Sequence, residues 1–167
     1  MNNKLTCSLI TGIAALSAMN TIDARAAEAL PKSGSVSIHS GYWAVGESVN
    51  VAEKYAQGHG TNRGISYNDK GSGPLHLGPT DCFYTFFTVV DRTRAKGYCT
   101  FGDPDGDRIF TDFAGAFGSD GYIQGNHSLE GGTGKYAGIQ GTMTFKCKYA
   151  GGNGELECTQ QMDYRVP

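Results

Sequence analysis

The sequence predicts an all-β chain folded as a sandwich or barrel of short antiparallel strands. Three observations carry this. Glycine makes up 25 of the 167 residues, roughly twice the usual share of about 7%, and a glycine inside a helix costs about 1 kcal/mol relative to alanine. Short strand-like runs alternate with glycine-rich breaks, and no segment shows a helical period. Four cysteines fall where hairpin pairing brings them together. No Gly-X-Y repeat is present, which excludes collagen. Aromatic residues at 11% argue against disorder, and the length suits one domain.

The first 26 residues read as a secretory signal. Lys4 gives a positive start, residues 9–19 form an apolar stretch, and Ala24-Arg25-Ala26 supplies a small-x-small cleavage site. The stretch is shorter than the roughly 20 residues a membrane span needs, and no later run approaches that length. The alternative is an uncleaved amphipathic helix. Cys7 precedes the apolar region, too early to serve as a lipid-anchor cysteine. Cleavage removes Lys4, Asp23 and Arg25 and leaves 12 basic residues against 15 acidic, a net charge of −3. The basic residues are dispersed, so there is no electrostatic footprint for nucleic acid or an anionic membrane. A secreted or periplasmic location is expected, with no transmembrane segment.

Residues 27–35 read as a flexible lead-in, and 36–167 as the folded domain. The candidate strands are 36–44, 48–55, 62–68, 82–90, 94–101, 108–117, 121–129, 138–149 and 155–166. Regular turn signals between them suit a sandwich or barrel.

Removing the signal removes Cys7 and leaves Cys82, Cys99, Cys147 and Cys158. An even number in an exported chain implies disulfides. With Gly152-Asn153 as a two-residue turn, Gly151 faces Gly154, Lys148 faces Glu157 and Cys147 faces Cys158. Directly opposed Cβ atoms need only a small adjustment to close the bond. The same test pairs Cys82 with Cys99 around a turn near Val90-Asp91 and sets Tyr84 opposite Gly97, a ring covering a glycine. That connection also allows a longer loop, out to Lys96. No C-x-x-C spacing supports zinc.

The last hairpin separates its faces. Met143, Phe145, Cys147, Tyr149, Leu156, Cys158, Met162 and Tyr164 share the inside face, and Thr, Lys, Glu and Gln residues alternate with them. Gln160 also falls inside, so its amide is either satisfied by backbone or lines a wet cavity. The Cys82 strand is apolar on both sides. Cys82, Tyr84 and Phe86 face one way; Phe83, Phe87 and Val89 face the other. One side then suits a barrel interior, and the other a cover from the N-terminal segment or a neighbouring subunit.

The motifs resolve mostly into turns. Asp103, Asp105 and Asp107 in Gly-Asp-Pro-Asp-Gly-Asp resemble the start of a calcium loop. Glycine stands at the fourth position, however, and Ala114 where glutamate belongs. Turn chemistry explains each residue. The glycine-rich run 130–138 lacks the phosphate-loop spacing and reads as a turn or bulge. His39, His59, His76 and His127 have no metal-ligand spacing, and no nucleophile elbow is present. Nothing in the sequence calls for a metal or cofactor. Glu47, Asp112 and Glu130 are the candidate acid–base carboxylates, since each lies beside an apolar or glycine-rich stretch and enclosure would raise its pKa.

Residues 97–110 (Gly-Tyr-Cys-Thr-Phe-Gly-Asp-Pro-Asp-Gly-Asp-Arg-Ile-Phe) and 131–141 (Gly-Gly-Thr-Gly-Lys-Tyr-Ala-Gly-Ile-Gln-Gly) resemble small exported bacterial proteins of the allene oxide cyclase and dirigent barrel type. The similarity runs from about Gly41 to the C-terminus. It implies a closed antiparallel barrel of about eight strands with an apolar cavity, and relatives that include cyclases, coupling guides and homo-oligomers, often trimers. The matching motifs lie on turns, so no catalytic residue carries over.

Three functions are therefore expected, in order. The first is binding of a small, mostly apolar ligand in the barrel, lined by Tyr84, Phe86, Phe145, Gln160, Met162 and Tyr164. The second is a cyclase or isomerase that steers a reactive substrate in that cavity, with one enclosed carboxylate as acid or base. The third is a non-catalytic envelope or host-facing interaction protein, motivated by the outer side of the Cys82 strand.

Overall fold

The computed structural model describes residues 30–167. The signal-type segment lies outside the described residues. The chain forms eight antiparallel strands: β1 Ser33–Ala52, β2 Tyr55–Asn68, β3 Gly78–Val89, β4 Arg92–Gly102, β5 Arg108–Phe117, β6 Ile123–Gly132, β7 Gln140–Tyr149 and β8 Glu155–Arg165. Each pairs with the next and β8 returns to β1, closing a barrel. Closure leaves no full-length free edge, which is how a short glycine-rich sheet escapes edge-to-edge association.

Nine candidate runs become eight strands because 36–44 and most of 48–55 are parts of one long strand, β1. Its first residue, Ser33, already pairs with Arg165 of β8, so the ordered sheet reaches into the expected lead-in. Gly46 reads as a break in the sequence but sits inside the strand. A Cβ there would stand 2.7 Å from the His59 carbonyl oxygen. The glycine permits close backbone approach and does not mark a turn. The turn falls later, at Glu53-Lys54, with Lys54 at φ 60°. Beyond Trp43, β1 has only β2 as a partner strand, so the barrel wall is stepped there.

Both hairpin registers are as the cysteine arithmetic requires. Cys82 pairs with Cys99 and Tyr84 with Gly97 around Val90-Asp91; Cys147 pairs with Cys158 and Lys148 with Glu157. Both disulfides are formed, with Cα atoms 4.0 and 4.1 Å apart. Two details differ. The β7–β8 turn is wider than two residues: its last ladder bond runs from Ala150 N–H to the Glu155 carbonyl, and the left-handed residue is Gly154, at φ 98°. Gly154 is drawn out of a tight turn because its carbonyl accepts the Ala44 N–H at 2.7 Å. The Tyr84 ring also leaves Gly97 uncovered and lies against Gly60, where a Cβ would stand 2.5 Å from the tyrosine Oη.

The two ends of the barrel differ. Hairpin turns at 53–54, 90–91, 118–122 and 150–154 surround one end. The connections 69–77, 103–107 and 133–139 fold under the other and close it. Leu75, Tyr136 and Ile139 from those connections are buried with Phe101, Ile109, Met143 and Met162. Asp103 fastens this plug. Its Oδ1 accepts the Leu75 N–H at 2.5 Å, and its Oδ2 accepts the Tyr136 hydroxyl at 2.5 Å and lies 2.6 Å from Lys135 Nζ. Leu75 adopts φ 61°, a strained conformation for a branched residue, and the Asp103 bond holds it there. Lys135 also contacts Asp105 at 2.5 Å, and Asp107 accepts the Lys135 N–H at 3.0 Å. The three aspartates are thus occupied by a lysine and by backbone, as turn residues. The run 130–138 holds a bulge at Glu130 and one turn of 3-10 helix, Gly134–Tyr136.

Candidate functional site

Above the plug the interior opens into a cavity of about 300 Å³ that reaches the turn-lined end. Its walls are made where strand parity turns large side chains inward. Tyr84 and Phe86 on β3 form one side, against a wall of small residues on β1 and β2. Phe145 on β7 rests on Gly115 of β5, where a Cβ would come within 2.7 Å of its ring. Both disulfides line the cavity as well. They serve as apolar cross-struts between adjacent strands, so the cavity wall is covalently stapled in two places.

His127 projects from β6 into the deep part of this space and was not singled out from sequence. Its ring is enclosed by Phe145, Phe113 and Phe101, with centroids 5.1, 5.3 and 5.5 Å away. Nδ1 lies 2.9 Å from Thr111 Oγ1, and that hydroxyl is 3.4 Å from the Cys99 carbonyl. Both bonds form together only when Nδ1–H donates to Thr111 and Thr111 donates to the carbonyl, which leaves Nε2 as an acceptor. Burial pulls the histidine pKa down to about 4, against a smaller upward pull from Asp112. At neutral pH the ring is uncharged.

A buried polar chain crosses β8, β1, β2 and β3 at the cavity's lower edge. Ser40 Oγ donates to Gln160 Oε1 at 2.7 Å. With that proton committed, Ser66 donates to Ser40 at 3.0 Å, and Thr80 to Ser66 at 2.8 Å. Gln160 Nε2 reaches Tyr42 Oη at 3.4 Å. The amide of Gln160 is therefore satisfied by side chains rather than backbone, while still facing the cavity. Higher up, burial and the neighbouring Tyr149 push Tyr84 up to about 12. Among the described residues, no Lys, Arg, Asp or Glu side chain lines the space.

Four of the residues expected to line the cavity do lie on its wall: Tyr84, Phe86, Phe145 and Gln160. Two do not. Met162 is fully buried in the closed-end core opposite Met143, and Tyr164 covers Gly34 at the base of the barrel, where a Cβ would stand 2.7 Å from its Oη. Period-two alternation fixes which way a side chain points but not how deep it lies. The candidate carboxylates Glu47, Asp112 and Glu130 are all exposed. Glu47 and Asp112 have outward parity, and Glu130 sits at the bulge, so none is enclosed. A catalytic scheme built on an enclosed carboxylate loses its acid–base group. Sequence reasoning also passed over Asn62, Phe101 and Phe113. Their signal was parity: His127 and Leu129 share the inward face of β6, as Asn62 and Ser66 share that of β2.

Among the described residues, no helix is long and apolar enough to cross a membrane. No protein-family model, curated protein or solved structure matches the chain.

Proposed function

We propose that this is an exported barrel that binds a small, neutral, mostly apolar molecule inside its open end. One observation carries the reading: a cavity walled by aromatic rings and disulfides, closed below and, among the described residues, free of charged side chains. An ion entering it would lose hydration with no counter-charge to replace it. Aromatic walls with a few placed polar groups are the usual make-up of small-molecule pockets. The two disulfides support an oxidising compartment, as does the signal-type N-terminus. The likeness of residues 97–110 and 131–141 to allene oxide cyclase and dirigent-type barrels supports the same reading. A cyclase or isomerase role would have to work through shape and His127, a weak base when its pKa is near 4.

The test is a thermal-shift panel of neutral aromatic and aliphatic probes beside their carboxylate analogues. Neutral probes should raise the melting temperature in a saturable manner, and the carboxylates should not. Equal behaviour of the two sets would overturn the reading.

The outer face supports a second, compatible reading, as an interaction protein that self-associates. Phe83, Phe87 and Tyr98 project outward with 50, 47 and 70% of their surface exposed, and no part of the described chain covers them. Val45, Thr61, Phe83 and Tyr98 form one row across β1 to β4, and Glu47, His59, Thr85 and Lys96 form the next. A second copy turned about an axis along the strands brings Glu47 of one copy to Lys96 of the other, and Val45 to Tyr98. Light scattering should show an oligomer that Phe83→Ser with Tyr98→Ser reduces to a monomer. A wild-type monomer would remove this reading.

A further inference from the structure

Most polar groups of the cavity wall are matched within the protein. Gln160, Ser40, Ser66 and Thr80 satisfy one another, and His127 is held by Thr111. Asn62 lines the cavity from β2. Its Oδ1 is sealed from solvent and has no hydrogen-bond partner among the described residues. Its strand neighbours offer none. The cross-strand neighbours are Ala44 and Cys82, and the thiol proton of Cys82 is gone into a disulfide. The neighbours on the same face of β2 are Gly60 and Gly64, which have no side chains. Buried amides are almost always paired, and an unpaired one calls for a specific explanation.

We propose that Asn62 is the polar contact for the ligand, and that the ligand carries a hydroxyl group on an otherwise apolar, uncharged frame. This rests on the cavity being the binding site. A hydrocarbon would leave the amide oxygen unpaired. A carboxylate has no proton to offer at neutral pH and meets no cation here. A hydroxyl accepts from Nδ2 as the amide stands and donates to Oδ1 when the amide turns over, so it can pair with Asn62 in either orientation. The cavity, about 300 Å³, has room for a two-ring aromatic. His127 Nε2 offers an acceptor on β6, across the barrel from β2, and so serves as the internal control.

Four probes share one frame: 2-naphthol, 2-methoxynaphthalene, 2-methylnaphthalene and 2-naphthoate. Each is titrated against the full mature chain with its disulfides intact. 2-Naphthol should bind about tenfold more tightly than 2-methylnaphthalene, with 2-methoxynaphthalene nearer the methyl compound and 2-naphthoate weakest. In Asn62→Leu the naphthol advantage should vanish while 2-methylnaphthalene affinity stays within about twofold, because an apolar side chain replaces an unpaired amide. Unchanged 2-methylnaphthalene binding also shows that the variant is folded. In His127→Phe the advantage should persist. If 2-methylnaphthalene binds but naphthol has no advantage, or keeps it in Asn62→Leu, the assignment of Asn62 is wrong and the cavity reading stands. Loss of the advantage in His127→Phe alone moves the contact to the histidine and overturns the assignment. If no probe binds, the cavity reading fails with it.

Discussion

His127 shows how a single residue acquires its properties from its neighbours. Three phenylalanine rings enclose it and burial lowers its pKa from 6.5 to about 4. The fold therefore favours the neutral ring. Below pH 6.5 the unfolded chain takes up a proton that the folded chain refuses, so stability present in full above that pH is lost as pH falls toward about 4. The loss is on the order of 3 kcal/mol. Urea unfolding at pH 7, 5.5 and 4 should show it, and His127→Phe should flatten that window. Asp105, held below its ordinary 3.8 by Lys135, contributes only at still lower pH. Asp103 makes the second residue-scale case. It gathers Leu75, Lys135 and Tyr136 under the barrel. Burial and the Asp103 acceptor raise the pKa of Tyr136, so its hydroxyl stays a donor. Burial tends to lower Lys135, but the carboxylates of Asp103 and Asp105 outweigh it and raise its pKa. Asp103→Ala should cost about 3 kcal/mol, because it leaves the buried Tyr136 hydroxyl and the buried Leu75 N–H without their acceptor and Lys135 with Asp105 as its remaining carboxylate. The same unfolding measurement reads this, and a loss below about 1 kcal/mol would show that the plug is held by packing alone.

At the scale of elements, the glycines act through what lies against them. Gly60 on β2 lies beneath the Tyr84 ring, so Gly60→Ala should force that ring toward the cavity. The expected cost is about 1–3 kcal/mol, together with weaker probe binding. A crystal structure of the variant with Tyr84 unmoved would refute this. Strand pairing was the most legible level of the sequence. Cys147 and Cys158, and Cys82 and Cys99, set the two registers because a disulfide and a tight turn leave little freedom between them. The inward face of β8 was legible for the same reason, from alternation through Leu156, Cys158, Gln160, Met162 and Tyr164. Depth was not legible. Met162 and Tyr164 share parity with the cavity wall yet lie in the plug, because the plug is built by loops that come from elsewhere in the sequence. Leu75 and Tyr136 give no local sign that they fill a barrel end. Gly46 misled for a related reason: a glycine that admits a neighbouring backbone looks, in sequence, like one that makes a turn.

At the scale of the whole molecule, the barrel divides its interior into a filled half and an open half. Asymmetric loop lengths cause this. Short hairpin turns leave one end uncovered, and the two longest connections, 69–77 and 133–139, bring Leu75, Tyr136 and Ile139 beneath the other. Exposed Glu47, Asp112 and Glu130 belong to the outside of this shell, while the cavity wall, among the described residues, carries only neutral groups. The function proposed for the open half is binding of an uncharged apolar molecule. It is tested most directly by titrating the fluorescent probe N-phenyl-1-naphthylamine into the wild-type protein and into Ala95→Trp. Ala95 is buried on the cavity wall, so the indole fills the space the probe would take. One saturable site per chain is expected in the wild type, and its loss in an Ala95→Trp protein that keeps both disulfides and a cooperative unfolding transition. No saturable binding in the wild type, or binding that survives the filled cavity unchanged, would contradict it.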